Sequence, residues 1–485
     1  MAPIATEVTT NGTNGTHVSS KTPQPPLSAT AHSFHPTADM DATHASTSRI
    51  AIDLEHHHAA HNYHPLPIVF AKALGTRVWD PEGREYLDCL SAYSAVNQGH
   101  CHPELIKVLI DQASRVTLSS RAFYNDVFPK FAEKVTTMFG YEMVLPTNTG
   151  AEAVETSIKI ARKWGYKVKK IPQGKAIIMG ATNNFHGRTW GPISLSTDPE
   201  SRDNYGPFLP NTGSVCPSTN KPIRYNSVPD LAAALEAHGK ETAAFIVEPI
   251  QGEAGIVVPD DDYLDACMAL CKQHNVLFIC DEIQTGIART GKLLCCHYAT
   301  SKPDMVVLGK AISGGMYPVS CVLGSRELML TIEPGTHGST FGGNPLGSAL
   351  AIRALELVEE QNMSARAAVL GELFRSKLRA LDSPRIQLVR GKGLLNAFMI
   401  DETKMNGHSA WDLCMMFKAK GMLAKPTHQN IIRLAPPLVI TETEIEFAVR
   451  IIGESLEELP KLKKGAAEDA VIPPGEKGVT IGIEN

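Results

Sequence analysis

From about residue 103 the chain switches repeatedly between two hydrophobic periods, with Gly, Pro and Asn at the joins. ELIKVLIDQASRV (104–116) and FPKFAEKVTTMF (128–139) space their apolar residues for amphipathic helices, and YEMVLP (141–146) predicts a strand. The same alternation continues through a helix at 151–164, a strand at 175–180, a helix at 230–239 and a strand at 243–249. A helix at 262–275 and strands at 276–280, 304–309 and 319–324 complete the series. Strands alternating with helices predict right-handed crossovers and an α/β fold, a mostly parallel sheet sandwiched by helices. After residue 345 the pattern turns helix-rich, with strands near 386–400 and 430–435. A capping box, Thr441 with Glu444, opens the last helix. That shift predicts a smaller α+β domain at 346–462, after a large domain at 101–345 and an N-terminal segment at 49–100.

Ligands of parallel sheets bind beyond the carboxyl ends of the strands. The polar residues that follow the apolar runs are therefore expected to line one pocket: Asn148, Thr149, Asn184, His186, Glu248, Asp281 and Lys310. In PDMVVLGKAISGG, Lys310 follows the apolar run Met305 to Leu308 and is surrounded by Gly309, Ala311, Gly314 and Gly315. Five apolar residues lead directly into Asp281, so its carboxylate needs a cation or a protonated ring nitrogen opposite, unless it is an ion pair or a helix cap. In NTGAEAVE (148–155), Thr149 suits the N-cap and Glu152 the N3 position. The amides of Gly150 and Ala151 then either bind a phosphate or belong to an ordinary capping box. Phe185 in NNFHGRTW either stacks on a planar ligand or packs in the core.

Composition narrows the function. With 485 residues and 43% hydrophobic content, the chain can bury one large core or two smaller ones. Lys and Arg total 46 against 51 acidic residues, a formal net charge of -5, so no basic footprint for nucleic acid is present. No apolar run reaches the ~18 residues of a membrane helix. The ten cysteines show no paired CxxC spacing, which predicts neither a zinc site nor a disulfide framework. Residues 1–48 are Thr-, Ser- and Pro-rich and are expected to be a disordered extension, and 463–485 a loose tail. Lys21 is the sole Lys or Arg in that extension, beside Glu7, Asp39 and Asp41, so a cytoplasmic location is expected over a mitochondrial one. The sequons at Asn11 and Asn14 and the triplet His56–His58 are read as incidental.

An amine, a carboxylate, a phosphate cradle and a ring face at successive strand ends meet the requirements of pyridoxal 5'-phosphate. The ordered motifs TNTGAEA, FHGRTWG, VEPIQGEAG, CDEIQTG, LGKAISGG and GSTFGGNP, with HNYHPLP, YSAVNQGHCHP and KPTHQNIIRLAPP, resemble the class III pyridoxal-phosphate aminotransferases over roughly residues 50–460. The resemblance implies the fold type I architecture and a homodimer or higher homo-oligomer. It makes Lys310 the lysine that bonds the cofactor aldehyde and shuttles protons, pairs Asp281 with the pyridine nitrogen, and puts Gln284 near the ring hydroxyl. Phe185, with His186 beside it, would stack on the ring, and Glu248 would lie in the cofactor site. Gly150 and Ala151 would hold the phosphate, joined by Thr340 from a second subunit. Tyr63 and Arg188 would hold a donor α-carboxylate, Tyr93 would shape the pocket, and Arg433, masked by Glu253, would hold the α-carboxylate of glutamate. The implied reaction moves the δ-amino group of ornithine to 2-oxoglutarate, with acetylornithine or 4-aminobutyrate as the alternative donor.

GIARTGKL (286–293) falls one residue short of a nucleotide-binding loop, since Leu293 replaces the metal-binding hydroxyl. An isomerase of the same fold would need no 2-oxoglutarate, and a non-catalytic scaffold would not need Lys310.

Overall fold

The computed structural model describes residues 46–463. Residues 1–45 of the expected extension, with both sequons, and the tail after 463 lie outside them. Thr47 and Ser48, assigned by composition to the extension, belong instead to a helix, Thr47–His58. The Ser46 side chain caps it by accepting from the Arg49 amide, and Glu82 accepts from the Ser48 amide at 2.8 Å. His56–His58 form its last turn and are exposed.

Strands β1 (Lys72–Leu74), β2 (Arg77–Trp79) and β3 (Glu85–Asp88) pair antiparallel in succession. The sheet that organises the protein follows: β4 (Met143–Thr147), β5 (Ile177–Gly180), β6 (Thr212–Gly213), β7 (Thr242–Val247), β8 (Leu277–Asp281), β9 (Met305–Leu308) and β10 (Ser320–Gly324). Their order is β4-β10-β9-β8-β7-β5-β6. Neighbours from β9 to β6 run parallel, while β10 is antiparallel to both β9 and β4. The strands read as continuous apolar runs because both faces are covered. On β7, Ala244 and Ile246 join Ile178, Ile279 and Val307 beneath Val154, Ile158 and Ala161 of the helix Gly150–Lys167. Phe245 and Val247 point the other way, with Met179, Phe278, Val306 and Leu308.

The C-terminal part supplies β11 (Ile386–Lys392), β12 (Leu395–Ile400), β13 (Met422–Leu423), β14 (Lys425–Thr427) and β15 (Ile431–Leu434). Four of these form an antiparallel sheet in the order β11-β12-β15-β14, and the helices Met363–Arg379 and Ala410–Ala419 pack on it. β13 leaves that sheet and pairs parallel with β3.

Both expected capping boxes form, Thr149 with Glu152 and Thr441 with Glu444. The helix expected over 104–116 spans Pro103–Ala113, and at its end both the amide and the Oγ of Ser114 donate to the Ile110 carbonyl. The first three strands, β6 and the short helix Trp190–Leu195 carry no clear period and were not expected. All ten cysteines are free, and nine of them are buried.

Candidate active site

Six strand ends converge on one cavity of about 190 Å³. Asp281 ends β8, Glu248 follows β7, and Lys310 comes two residues after β9. Phe185 and His186 follow β5, and the helix after β4 presents Gly150 and Ala151. All of them line the cavity, together with Glu253 and Gln284. Because β10 runs the other way, it brings its first residue here: Ser320 Oγ donates to the Thr149 carbonyl at 2.7 Å and so supports the helix start.

Asp281 is buried. Its Oδ2 lies 2.7 Å from His186 Nδ1, and its Oδ1 accepts from the Ile283 amide at 3.1 Å. Burial works against a charged His186, but the hydrogen bond and charge of Asp281, with Glu248 behind it, win and raise its pKa. Glu248 accepts from the amides of Phe185 at 3.0 Å and Gly252 at 3.1 Å, yet burial pushes its pKa up to about 7. Lys310 sits at φ 47°, a left-handed conformation that costs a non-glycine residue about 1–2 kcal/mol. Its ammonium forms no hydrogen bond or ion pair among the described residues. Burial lowers its pKa despite the nearby charges of Glu253, Asp281 and Glu248, which favours the nucleophilic free amine.

Two glycines leave room for side chains that line the cavity. A Cβ on Gly252 would lie 1.7 Å from Gln284 Oε1, and one on Gly150 2.8 Å from Ile283 Cδ1. The first-turn amides at Gly150 and Ala151 cannot be used by the helix itself and face the cavity.

At the edge of the cavity, Arg433 on β15 reaches Glu253, with Nη1 2.7 Å from Oε1. Nη1 lacks hydrogen-bond geometry toward that carboxylate, and the buried Nε has no hydrogen-bond partner. The Arg433 guanidinium carbon lies 4.7 Å from the centre of the Tyr93 ring, whose pKa burial raises.

The other expected pocket residues are placed differently. Asn184 is buried but spends its amide on the carbonyls of Ala181 and Leu195 and on Ser214 Oγ, closing its own loop. Asn148 and Thr149 serve the helix cap, and Asn148 also donates to Ser339 Oγ at 2.8 Å. Tyr63 and Thr340 are exposed and outside the cavity lining. Arg188, also exposed, lies 5.3 Å over the Phe185 ring. Sequence reasoning missed Gly187, Ile283 and Thr285 as lining residues. Ile283 had a usable signal, because it lies between Asp281 and Gln284 in a segment already assigned to the site.

Residues 58–456 match the family model of the class III aminotransferases, and the chain belongs to that family. It is 67% identical over 478 residues, 99% of this chain and 100% of the relative, to "Ornithine aminotransferase" of Emericella nidulans. Among solved structures, the ornithine aminotransferase of Toxoplasma gondii matches with a TM-score of 0.81 and 42% identity, over 86% of this chain and 96% of that one. The acetylornithine aminotransferase of Elizabethkingia anophelis matches with a TM-score of 0.75 and 48% identity, over 85% and 100%. Plant, insect and rat relatives of 48% to 51% identity carry names that mark them as mitochondrial.

The family uses pyridoxal 5'-phosphate, and the cavity fits that group. His186 Nε2 is buried without a partner, and the Lys310 amine is unengaged. A carboxylate, a ring face and a helix N-terminus adjoin the same space.

Proposed function

We propose that the chain transfers the δ-amino group of ornithine to 2-oxoglutarate. The products are glutamate 5-semialdehyde, which cyclises to pyrroline-5-carboxylate, and glutamate, formed in two half-reactions that alternate on one site. The observation that carries this reading is the ion pair between Glu253, which lines the cavity, and the buried Arg433, a cation that is masked beside the cavity and can be unmasked.

Bound pyridoxal phosphate supplies a carbonyl that exchanges with amines and a ring that accepts an electron pair. Lys310 would hold the aldehyde end of that group and offers the amine that can carry a proton beside it. Asp281, positioned by His186 at 2.7 Å, would hold the ring nitrogen. Gly150 and Ala151 present amides to the phosphate, joined by Thr340 of the partner subunit, so the working unit is a homodimer. Phe185 would hold the ring and Gln284 its hydroxyl, while Glu248 ties the Phe185 loop to its own by accepting from the amides of Phe185 and Gly252.

Tyr63 and Arg188 receive the α-carboxylate of ornithine and leave its δ-amine toward Lys310. While Glu253 masks Arg433, that carboxylate has no competing cation. Glutamate reacts at the α-amine, so its α-carboxylate takes Arg433 and displaces Glu253. Tyr93 packs against Arg433 and limits the space at that end. We divide the chain into an N-terminal segment at 49–100, a large cofactor domain at 101–345 and a small domain at 346–462. We place the protein in the cytoplasm on the composition of residues 1–48 and assign it to arginine breakdown and proline formation. Cell fractionation that finds it in mitochondria would overturn the location.

The deciding experiment offers ornithine, N-acetylornithine and 4-aminobutyrate separately with 2-oxoglutarate and measures glutamate and the cyclised semialdehyde. Ornithine is expected to give the highest kcat/KM; a preference for N-acetylornithine or 4-aminobutyrate would overturn the assignment.

A further inference from the structure

Ser91, Ala92, Tyr93 and Ser94 have φ values of 47°, 49°, 58° and 69°, four consecutive non-glycine residues in the left-handed region. In that conformation each Cβ crowds the following carbonyl, so such a run persists only if its surroundings hold it. Asp88 Oδ1 fixes the entry by accepting from the amides of Leu90 at 2.8 Å and Ser91 at 3.0 Å. The turn closes on itself through the amides of Tyr93 at 3.0 Å to the Leu90 carbonyl and of Ala95 at 2.9 Å to the Ser91 carbonyl, and Arg289 ties it to the rest of the fold. This arginine is fully buried and has no carboxylate within ion-pair reach among the described residues.

All its hydrogen bonds go to neutral oxygens. Nη2 donates to Asn97 Oδ1 at 2.6 Å and to Ser91 Oγ at 3.2 Å, and Nε donates to Asn97 Oδ1 at 3.2 Å. Nη1 donates to the carbonyls of Leu394 at 2.9 Å and Pro436 at 2.6 Å. Ser91 Oγ in turn donates to the Ala435 carbonyl at 2.6 Å. A buried, uncompensated cation is a poor source of stability, so its placement calls for another explanation. Its partners flank two residues that touch each other: the Ser91–Asn97 bonds bracket Tyr93, and the Ala435 and Pro436 carbonyls lie just after Arg433, whose guanidinium meets the Tyr93 ring.

We propose that Arg289 is a positioning residue for donor selection, holding the left-handed turn and the segment after Arg433 in one frame so that Tyr93 stays packed against Arg433. Arg289 reaches the substrate end of the cavity through Ser91 and Asn97. The inference rests on the reading of Arg433 as the glutamate-carboxylate site with Tyr93 at that end.

The test uses cofactor-loaded enzyme and measures the ornithine and glutamate half-reactions separately by rapid mixing. The variants are Ser91→Ala, Arg289→Lys and, as a reference, Tyr93→Leu. Loss of the Tyr93 ring leaves Arg433 open to carboxylates, so Tyr93→Leu is expected to lower the ornithine-to-glutamate rate ratio at least tenfold. Ser91→Ala and Arg289→Lys are expected to lower it in the same direction, Ser91→Ala with little change in unfolding midpoint. A purely structural role would lower both rates alike. If Tyr93→Leu shifts the ratio while Ser91→Ala, and Arg289→Lys where it folds, keep the wild-type ratio, the positioning role is overturned. If Tyr93→Leu leaves the ratio unchanged, the reading of Tyr93 falls, and the inference with it.

Discussion

Replacing Glu253 with Ala probes the step on which the two half-reactions differ. The Arg433 side chain is 6% exposed and that of Glu253 31%, and their nearest charged atoms lie 2.7 Å apart. At an effective dielectric constant of about 20, unit charges some ~4 Å apart attract by about 4 kcal/mol. The partial exposure of Glu253 and the cost of holding Arg433 away from water reduce the net pairing to about 1–2 kcal/mol. A glutamate carboxylate that no longer has to displace Glu253 is therefore expected to bind about 5–30-fold more tightly. In the ornithine half-reaction the unmasked Arg433 captures the donor's own α-carboxylate and presents the α-amine to Lys310. Ornithine turnover is expected to fall and its δ-selectivity to erode. Rapid-mixing absorbance with each donor in single turnover, with product analysis for α- against δ-transfer, measures both effects. Equal losses in the two half-reactions with δ-selectivity intact would refute the switch and leave Glu253–Arg433 as a static ion pair.

Lys310→Ala is expected to lower steady-state turnover by at least about 100-fold, and borohydride treatment of the wild type is expected to fix the cofactor on Lys310 by peptide mass; turnover at the wild-type rate excludes that role. Asp281→Asn keeps the shape but removes the charge beside His186, so turnover is expected to drop by about 100-fold or more and the raised His186 pKa to fall, read by proton NMR of the imidazole; an unmoved His186 titration contradicts the pairing. The cofactor-free protein carries a pH signature. The Glu248 pKa rises from the ordinary 4.5 to about 7, so the folded state binds the extra proton and stability is lost as pH rises through that window. His186, also raised, acts in the same direction, its contribution being present below its unfolded pKa. For Glu248 alone the loss is at most about 3 kcal/mol. Calorimetric midpoints between pH 4.5 and 8 are expected to fall less steeply in Glu248→Gln than in the wild type, and parallel slopes would disprove the burial argument.

The sequence by itself determined the elements and the polar residues at their ends. Continuous apolar runs record strands buried on both faces, and a run that stops at Asp281 or just short of Lys310 puts that side chain at a strand end. Capping boxes are equally local, so Thr149 with Glu152 and Thr441 with Glu444 were legible within four residues. The tertiary structure decided which neighbours those elements have. Periodicity states that a strand is buried but not its direction or partner, and so the antiparallel insertion of β10 and the pairing of β13 with β3 left no local trace. The same limit applies to side chains. Asn184 follows a strand as His186 does, yet nearby carbonyls claim its amide. Glu253 and Arg433 are 180 residues apart, and neither residue's neighbourhood encodes their contact. The left-handed turn at Ser91–Ser94 is the clearest case. Local sterics oppose it, and its own backbone bonds and Asp88 are joined by Ala435 and the buried Arg289, which the packing of distant segments brings against Ser91.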